Sequence, residues 1–216
     1  MRRKFDEQLS TLNHSLIQMG SICEKTIDLA AKTLISGDTE LANKVEILSS
    51  ELDQMERSVE ALCLKMLLQQ QPVAGDLRHI SAALKMITDM ERIGDQAEDI
   101  TEIVTEMKHG IDYDFSVINE MAQATIHMVT GSVDAFVHQD VKQAQRVIES
   151  DDVVDDYFMK VKSSLVEMIT REPNDSLDAL DLLMIAKYFE RIGDHAVNVA
   201  EWVVFSVTGL HKGETL

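Results

Sequence analysis

Two prolines and nine glycines in 216 residues leave the chain few places where it must turn. Aromatic residues are scarce too, at 5%, so the 45% of hydrophobic residues are mostly Leu, Ile, Val, Ala and Met. That supply suits long helices better than sheets, and an all-α fold is expected. Cysteine is limited to Cys23 and Cys63. On consecutive helices joined near Gly37 these two sit about 18 Å apart at about 1.5 Å of rise per residue, which excludes a disulfide and leaves two reduced core thiols. Basic residues are outnumbered, 20 Lys and Arg against 38 Asp and Glu, for a net charge of −18. Nucleic acid and anionic membrane surfaces, which need a cationic footprint, are excluded as direct partners. A long apolar run is also missing. The most apolar stretch, Ala196 to Val207, is interrupted by Asn198 and Glu201 and is too short to span a bilayer. No apolar run follows the basic tip Met1-Arg2-Arg3-Lys4, so a cytoplasmic protein is expected, one that meets a membrane only through partners. No Ser/His/Asp or Cys/His constellation, glycine-rich phosphate loop or zinc-type spacing stands out, and the expectation is not an enzyme.

What the chain does contain is a duplication. Glu91-Arg92-Ile93-Gly94-Asp95 returns as Glu190-Arg191-Ile192-Gly193-Asp194, at 190 minus 91, or 99 residues later. The match extends past the motif, where Ala97, Ile100, Glu102 and Val104 are answered by Ala196, Val199, Glu201 and Val203. Further upstream Asp38, Ala42, Val45, Asp53 and Met66 face Asp140, Ala144, Val147, Asp155 and Met168 at an offset of 140 minus 38, or 102. The three-residue difference falls in the connector between residues 69 and 75. A period this long marks two copies of one structural unit.

Within each copy the apolar spacing is helical. Phe5, Leu9, Leu12, Leu16, Met19, Ile22, Thr26, Ala30 and Leu34 recur in steps of three and four, and Ser36-Gly37-Asp38 ends that helix and caps the next. Leu41, Val45, Leu48, Leu52, Met55, Val59, Leu62 and Met66 alternate steps of four and three, as in a coiled-coil seam. A third helix is expected from about Asp76 to Lys108, between the break Gln71-Pro72-Val73-Ala74-Gly75 and the stop His109-Gly110. Copy two predicts helices at about 114–137, 140–170 and 175–208, with Pro173-Asn174 as the matching break. The architecture expected is six long helices in two tandem three-helix bundles, residues 1–110 and 111–216, packed together as one elongated molecule. A helix of some 30 residues reaches about 45 Å. The seam-like stripes also make a homodimer an expectation.

The repeated motif sets a Glu and an Asp four positions apart, on one helix face and roughly 5 to 6 Å apart at Cβ. With Ile93 at zero on a wheel of about 100° per residue, Met90, Ala97, Ile100 and Val104 fall within roughly 60° of it as a core stripe, while Glu91, Asp95, Glu98 and Glu102 fall between about 140° and 200°. One reading is a solvated face laced by local pairs such as Arg92 to Asp95 and Arg191 to Asp194. Two features favour a cation site instead. Like charges stacked four apart cost a few tenths of a kcal/mol unless compensated. A mid-helix glycine costs about 1 kcal/mol against alanine, and Gly94 and Gly193 both accept that cost beside the Asp, so a helix or a ligand approaches the backbone there. Candidate metal ligands are Glu91, Asp95, Glu190 and Asp194, with Asp53 and Asp155 behind them and Glu56 and Asp156 beside those two. His195 follows Asp194, but Gln96 takes its place in copy one. Oxygen-only donors favour divalent or iron-type ions such as Mg, Mn, Ca or iron over a thiolate-type zinc site. Two rivals stay open. An acidic metal-free scaffold would dock basic partner surfaces. A ferritin-like di-iron enzyme would need Glu-x-x-His on two helices, and only Glu106-x-x-His109 has that spacing.

At these residues the sequence resembles the PhoU family of phosphate-signalling regulators, in which two three-helix repeats each carry a Glu/Asp-x-x-x-Asp motif. Gln71-Pro72-Val73-Ala74-Gly75-Asp76-Leu77-Arg78, the first motif, and Glu190-Arg191-Ile192-Gly193-Asp194-His195-Ala196 carry the resemblance, which spans essentially the whole chain. It implies a cytosolic, non-enzymatic negative regulator that couples the ATP-binding subunit of a phosphate importer to a sensor histidine kinase. It also implies multinuclear metal clusters on Glu91, Asp95, Glu190 and Asp194, with Asp53, Asp155 and Glu102 as further ligands. The copies depart from each other at Glu98 against Val197 and at Asp99 against Asn198, which argues against equal loading of the two sites.

Overall fold

The computed structural model describes residues 2–70, 72–107 and 112–210. Helix α1 (Arg2–Ser36) turns at Gly37, whose φ of 66° is the left-handed conformation that glycine adopts without strain. Asp38 then accepts a hydrogen bond from the Glu40 amide at 2.9 Å and opens α2 (Thr39–Gln70), as its cap position predicted. The third helix, α3, runs from Ala74 to Glu106. Its expected stop at His109-Gly110 and the first residue of the preceding break, Gln71, lie outside the described residues.

Copy two repeats the plan with one difference. α4 (Ser116–His138) ends in a left-handed residue that is not glycine, Gln139 at φ 54°, in the place Gly37 holds in copy one. The helix expected over 140–170 is two pieces, α5 (Val141–Glu149) and α6 (Asp151–Arg171), meeting at Ser150. Asp140 caps α5, accepting from the Lys142 and Gln143 amides. The Ser150 hydroxyl donates to the Val147 carbonyl at 2.7 Å, a local bond that competes with the helical ladder where the two pieces meet. A short 3-10 turn, Pro173–Asp175, leads into α7 (Ser176–Thr208), which stops at the left-handed Gly209.

α1, α2 and α3 pack on one another as one bundle, and α4, α5 with α6, and α7 as the other. α3 lies against α7 and α1 against α4, so one core runs through both. The expected stripes are the core: Leu12, Leu16, Met19, Val45, Leu52, Met66, Met90, Ile93, Ala97 and Ile100 are fully buried. Cys23 and Cys63 are free thiols inside it, Cys23 donating to the Met90 carbonyl at 3.4 Å. Among the described residues no helix is long and apolar enough to cross a membrane, and there is no strand.

Candidate metal centre

The first glycine of the repeated motifs, Gly94, admits a neighbouring helix. A Cβ on Gly94 would lie 2.7 Å from Leu52 Cδ1 and 3.5 Å from Ser49 Oγ, so α2 reaches the α3 backbone only because no side chain stands there. This close approach brings Asp53 and Glu56 of α2 beside Glu91 of α3. One carboxylate oxygen from each lies within 4.8 Å of the others. Partial burial raises the pKa of Glu91, and the charges of Asp95, Glu56 and Asp53 raise it further, with Arg92 opposing them. Basic groups hold the rim. Arg57 grips both oxygens of Asp53, at 3.0 and 2.7 Å, and Arg92 lies 3.0 Å from Asp95 and 3.5 Å from Glu91. Thr88 donates to Glu56 at 2.9 Å.

The second copy builds a related but different site. Gly193 faces Val154 Cγ1 at 3.4 Å and Asp151 Oδ1 at 3.5 Å of α6, measured from the position of an added Cβ. Asp151 is half-buried, and burial together with the charges of Asp155, Asp194, Glu190 and Asp152 pushes its carboxyl up to about 6. Phe158 stands where copy one has Glu56, and Lys187 where it has Thr88. The Lys187 ammonium pairs with Glu190 and lies 5.6 Å from the centre of the Phe158 ring. Site one therefore gathers Asp53, Glu56, Glu91 and Asp95, and site two Asp151, Asp155, Glu190 and Asp194.

Asp151 is the acid that sequence reasoning missed. Its signal was available, since Asp151-x-x-x-Asp155 repeats on α6 the four-residue spacing that drew attention to α3 and α7. Other expected residues sit elsewhere. Glu102 and Glu98 line a groove of about 250 Å³ with Glu46, apart from the Asp53, Glu56 and Glu91 trio. Asp156 is exposed and is not among the acids acting on Asp151. The Arg92 to Asp95 pair forms, but Arg191 acts on Asp99 across the boundary between copies in place of the expected Asp194. His195 Nδ1 lies 2.9 Å from Asp89 of α3. His109, needed for a ferritin-like reading, is outside the described residues.

Oxygen donors converging from two helices suit a hard cation, which carboxylates bind at about 2.0 to 2.6 Å with water completing the shell. The trio of Asp53, Glu56 and Glu91 fits that chemistry, because its acids are held together against their own repulsion by packing at Gly94. A cation there would relieve what raises Glu91, and one in site two would relieve what raises Asp151.

Comparison with known proteins agrees with the duplication. The family model described as the PhoU domain matches residues 16–104 and again 118–203. A phosphate-specific transport system accessory protein PhoU homolog of Clostridium acetobutylicum is 30% identical over 210 residues, covering 96% of each chain. One from Aquifex aeolicus is 34% identical over 189 residues, 87% of this chain and 86% of that one. In three dimensions the chain is similar to the crystal structure of PhoU from Pseudomonas aeruginosa, with a TM-score of 0.90 at 30% identity over 95% of this chain and all of that one (100%).

Proposed function

The chain belongs to the PhoU family, and from that membership we propose that it is an accessory regulator of phosphate transport, acting in the cytoplasm as a negative regulator of phosphate signalling and uptake. Its partners in this reading are the ATP-binding subunit of a phosphate importer and a sensor histidine kinase, and it reaches the membrane through them. The observation that carries the reading is near full-length similarity to phosphate-specific transport system accessory proteins, with both repeats of the family model matched.

The carboxylate sites supply the chemistry. Asp53, Glu56, Glu91 and Asp95 hold cations at site one, and Asp151, Asp155, Glu190 and Asp194 at site two. Without ions, a surface on a chain of net charge −18 repels phosphate and acidic side chains alike. A divalent or iron-type ion held there would supply positive charge, to which an anion or a partner's carboxylate would be attracted. The protein's part is to hold its oxygens in place: α2 against α3 through Gly94, and α6 against α7 beside Gly193. Arg57, Arg92 and Lys187 limit the repulsion when the sites are empty. The test is a phosphate-starvation reporter in cells carrying Asp95→Ala with Asp194→Ala. Reporter expression that stays high in ample phosphate is expected. Normal repression by a variant shown to have lost its metal refutes this role for the sites.

A further inference from the structure

The two copies differ where they face each other. α3 and α7 run antiparallel, so that Arg78 near the start of α3 lies against Gly209 just past the end of α7, its Cδ 3.6 Å from where a Cβ would stand. Two polar contacts cross this seam. In one, Asp89 of α3 accepts from Asn198 Nδ2 at 3.1 Å on the same oxygen that lies 2.9 Å from His195 Nδ1. In the other, the same antiparallel register sets Tyr188 of α7 opposite Asp99 of α3, with Arg191 acting on that carboxylate. At the 99-residue offset between the copies, 188 minus 89 and 198 minus 99, Asp89 corresponds to Tyr188 and Asp99 to Asn198. The two pairs thus occupy equivalent places about a local two-fold, and each pair, 89 with 198 and 99 with 188, contains a single carboxylate.

We propose that positions 89, 99, 188 and 198 form a pairing code that fits repeat one to repeat two and rejects a second repeat one. Repeat one set against another repeat one would face Asp89 with Asp99, two acids in a seam where Asp89 is only 16% exposed, and Arg92, the counterpart of Arg191, is already paired with Glu91 and Asp95. Repeat two set against itself would face Tyr188 with Asn198 and leave both contacts without an acid to receive the donors. Only the mixed pairing gives each contact one acid and at least one donor. The difference between Asp99 and Asn198 therefore has a role in the seam, across which both residues act. Because Glu91, Asp95, Glu190 and Asp194 ride on the same two helices, the code also fixes how the two carboxylate sites face each other.

Two measurements on the full chain test this. Thermal unfolding in chelator at neutral pH compares Asn198→Asp, Asp89→Asn and the double variant, which moves the acid from α3 to α7. Each single change is expected to lower the midpoint by several degrees, and the double to recover most of the loss. A double variant as unstable as the sum of its singles, or an Asn198→Asp protein that melts like the wild type, overturns the code. The second measurement is light scattering after refolding from urea at high concentration. Asp99→Asn lets two copies of repeat one meet as acid against amide, so it is expected to yield higher-mass species that the wild type does not. Identical mass distributions overturn the claim that the code discriminates between partners.

Discussion

Asp151 shows how much a single residue feels its neighbours. Its carboxyl is pushed up to about 6 by burial and by the surrounding acids, whereas in the unfolded chain it titrates near about 3.9. The folded state therefore holds a proton that the unfolded state has lost, and this group weakens the fold progressively as pH rises from about 4 through about 6. In chelator at pH 7.5 the Asp151→Asn protein is expected to melt above the wild type, with the advantage shrinking toward pH 4.5. Added divalent cation should reverse the order, because the variant has lost a ligand. The cysteines behave oppositely to reactive thiols. Burial pushes both Cys23 and Cys63 up to about 12, so neither ionises at neutral pH. A thiol reagent such as Ellman's is expected to label neither rapidly in the native protein and both once the chain is unfolded in urea; fast native labelling would contradict the core positions assigned to them.

At the scale of the element, the motif glycines give opposite expectations in the two copies. Replacing a mid-helix glycine by alanine gains about 1 kcal/mol of helix propensity. At Gly193 an added Cβ finds ordinary contacts of 3.4 Å and beyond, so Gly193→Ala should stabilise by about 0.5 to 1 kcal/mol. At Gly94 it meets the fully buried Leu52 at 2.7 Å, and overpacking of about 1 to 3 kcal/mol outweighs the gain. Urea unfolding of both variants should therefore give shifts of opposite sign. The helices themselves were legible because stripes such as Leu41 to Met66 and the turn at Ser36-Gly37-Asp38 write periodicity and capping into the residues. Glu91 and Asp95 were legible for the same reason. What periodicity could not supply was the neighbour. That Asp151 stands opposite Gly193, that Glu102 sits away from Asp53, and that Arg191 reaches Asp99 depend on how α2, α6 and α7 pack. The break at Ser150 was hidden because Val147 and Val154, seven residues apart, keep the same helical phase on either side of it.

For the whole molecule, a net charge of −18 must be held at close quarters, with acids of α2 facing those of α3 and acids of α6 facing those of α7. Self-repulsion among solvent-facing acids is screened within about 8 Å at physiological ionic strength. In chelator, raising sodium chloride from low to physiological levels is expected to raise the melting midpoint, and micromolar divalent cation to raise it further at constant ionic strength. A midpoint indifferent to both would mean that the acids are not under electrostatic strain. The measurement that most directly tests the central claim, that the duplicated motif is a pair of cation sites, is elemental analysis of protein purified without chelator, wild type beside Asp95→Ala with Asp194→Ala. The account predicts a stoichiometric divalent or iron-type metal in the wild type that is lost in the variant. Metal absent from a wild type supplied with these ions, or retained in full by the variant, would contradict it and leave the acids as a docking surface for basic partners.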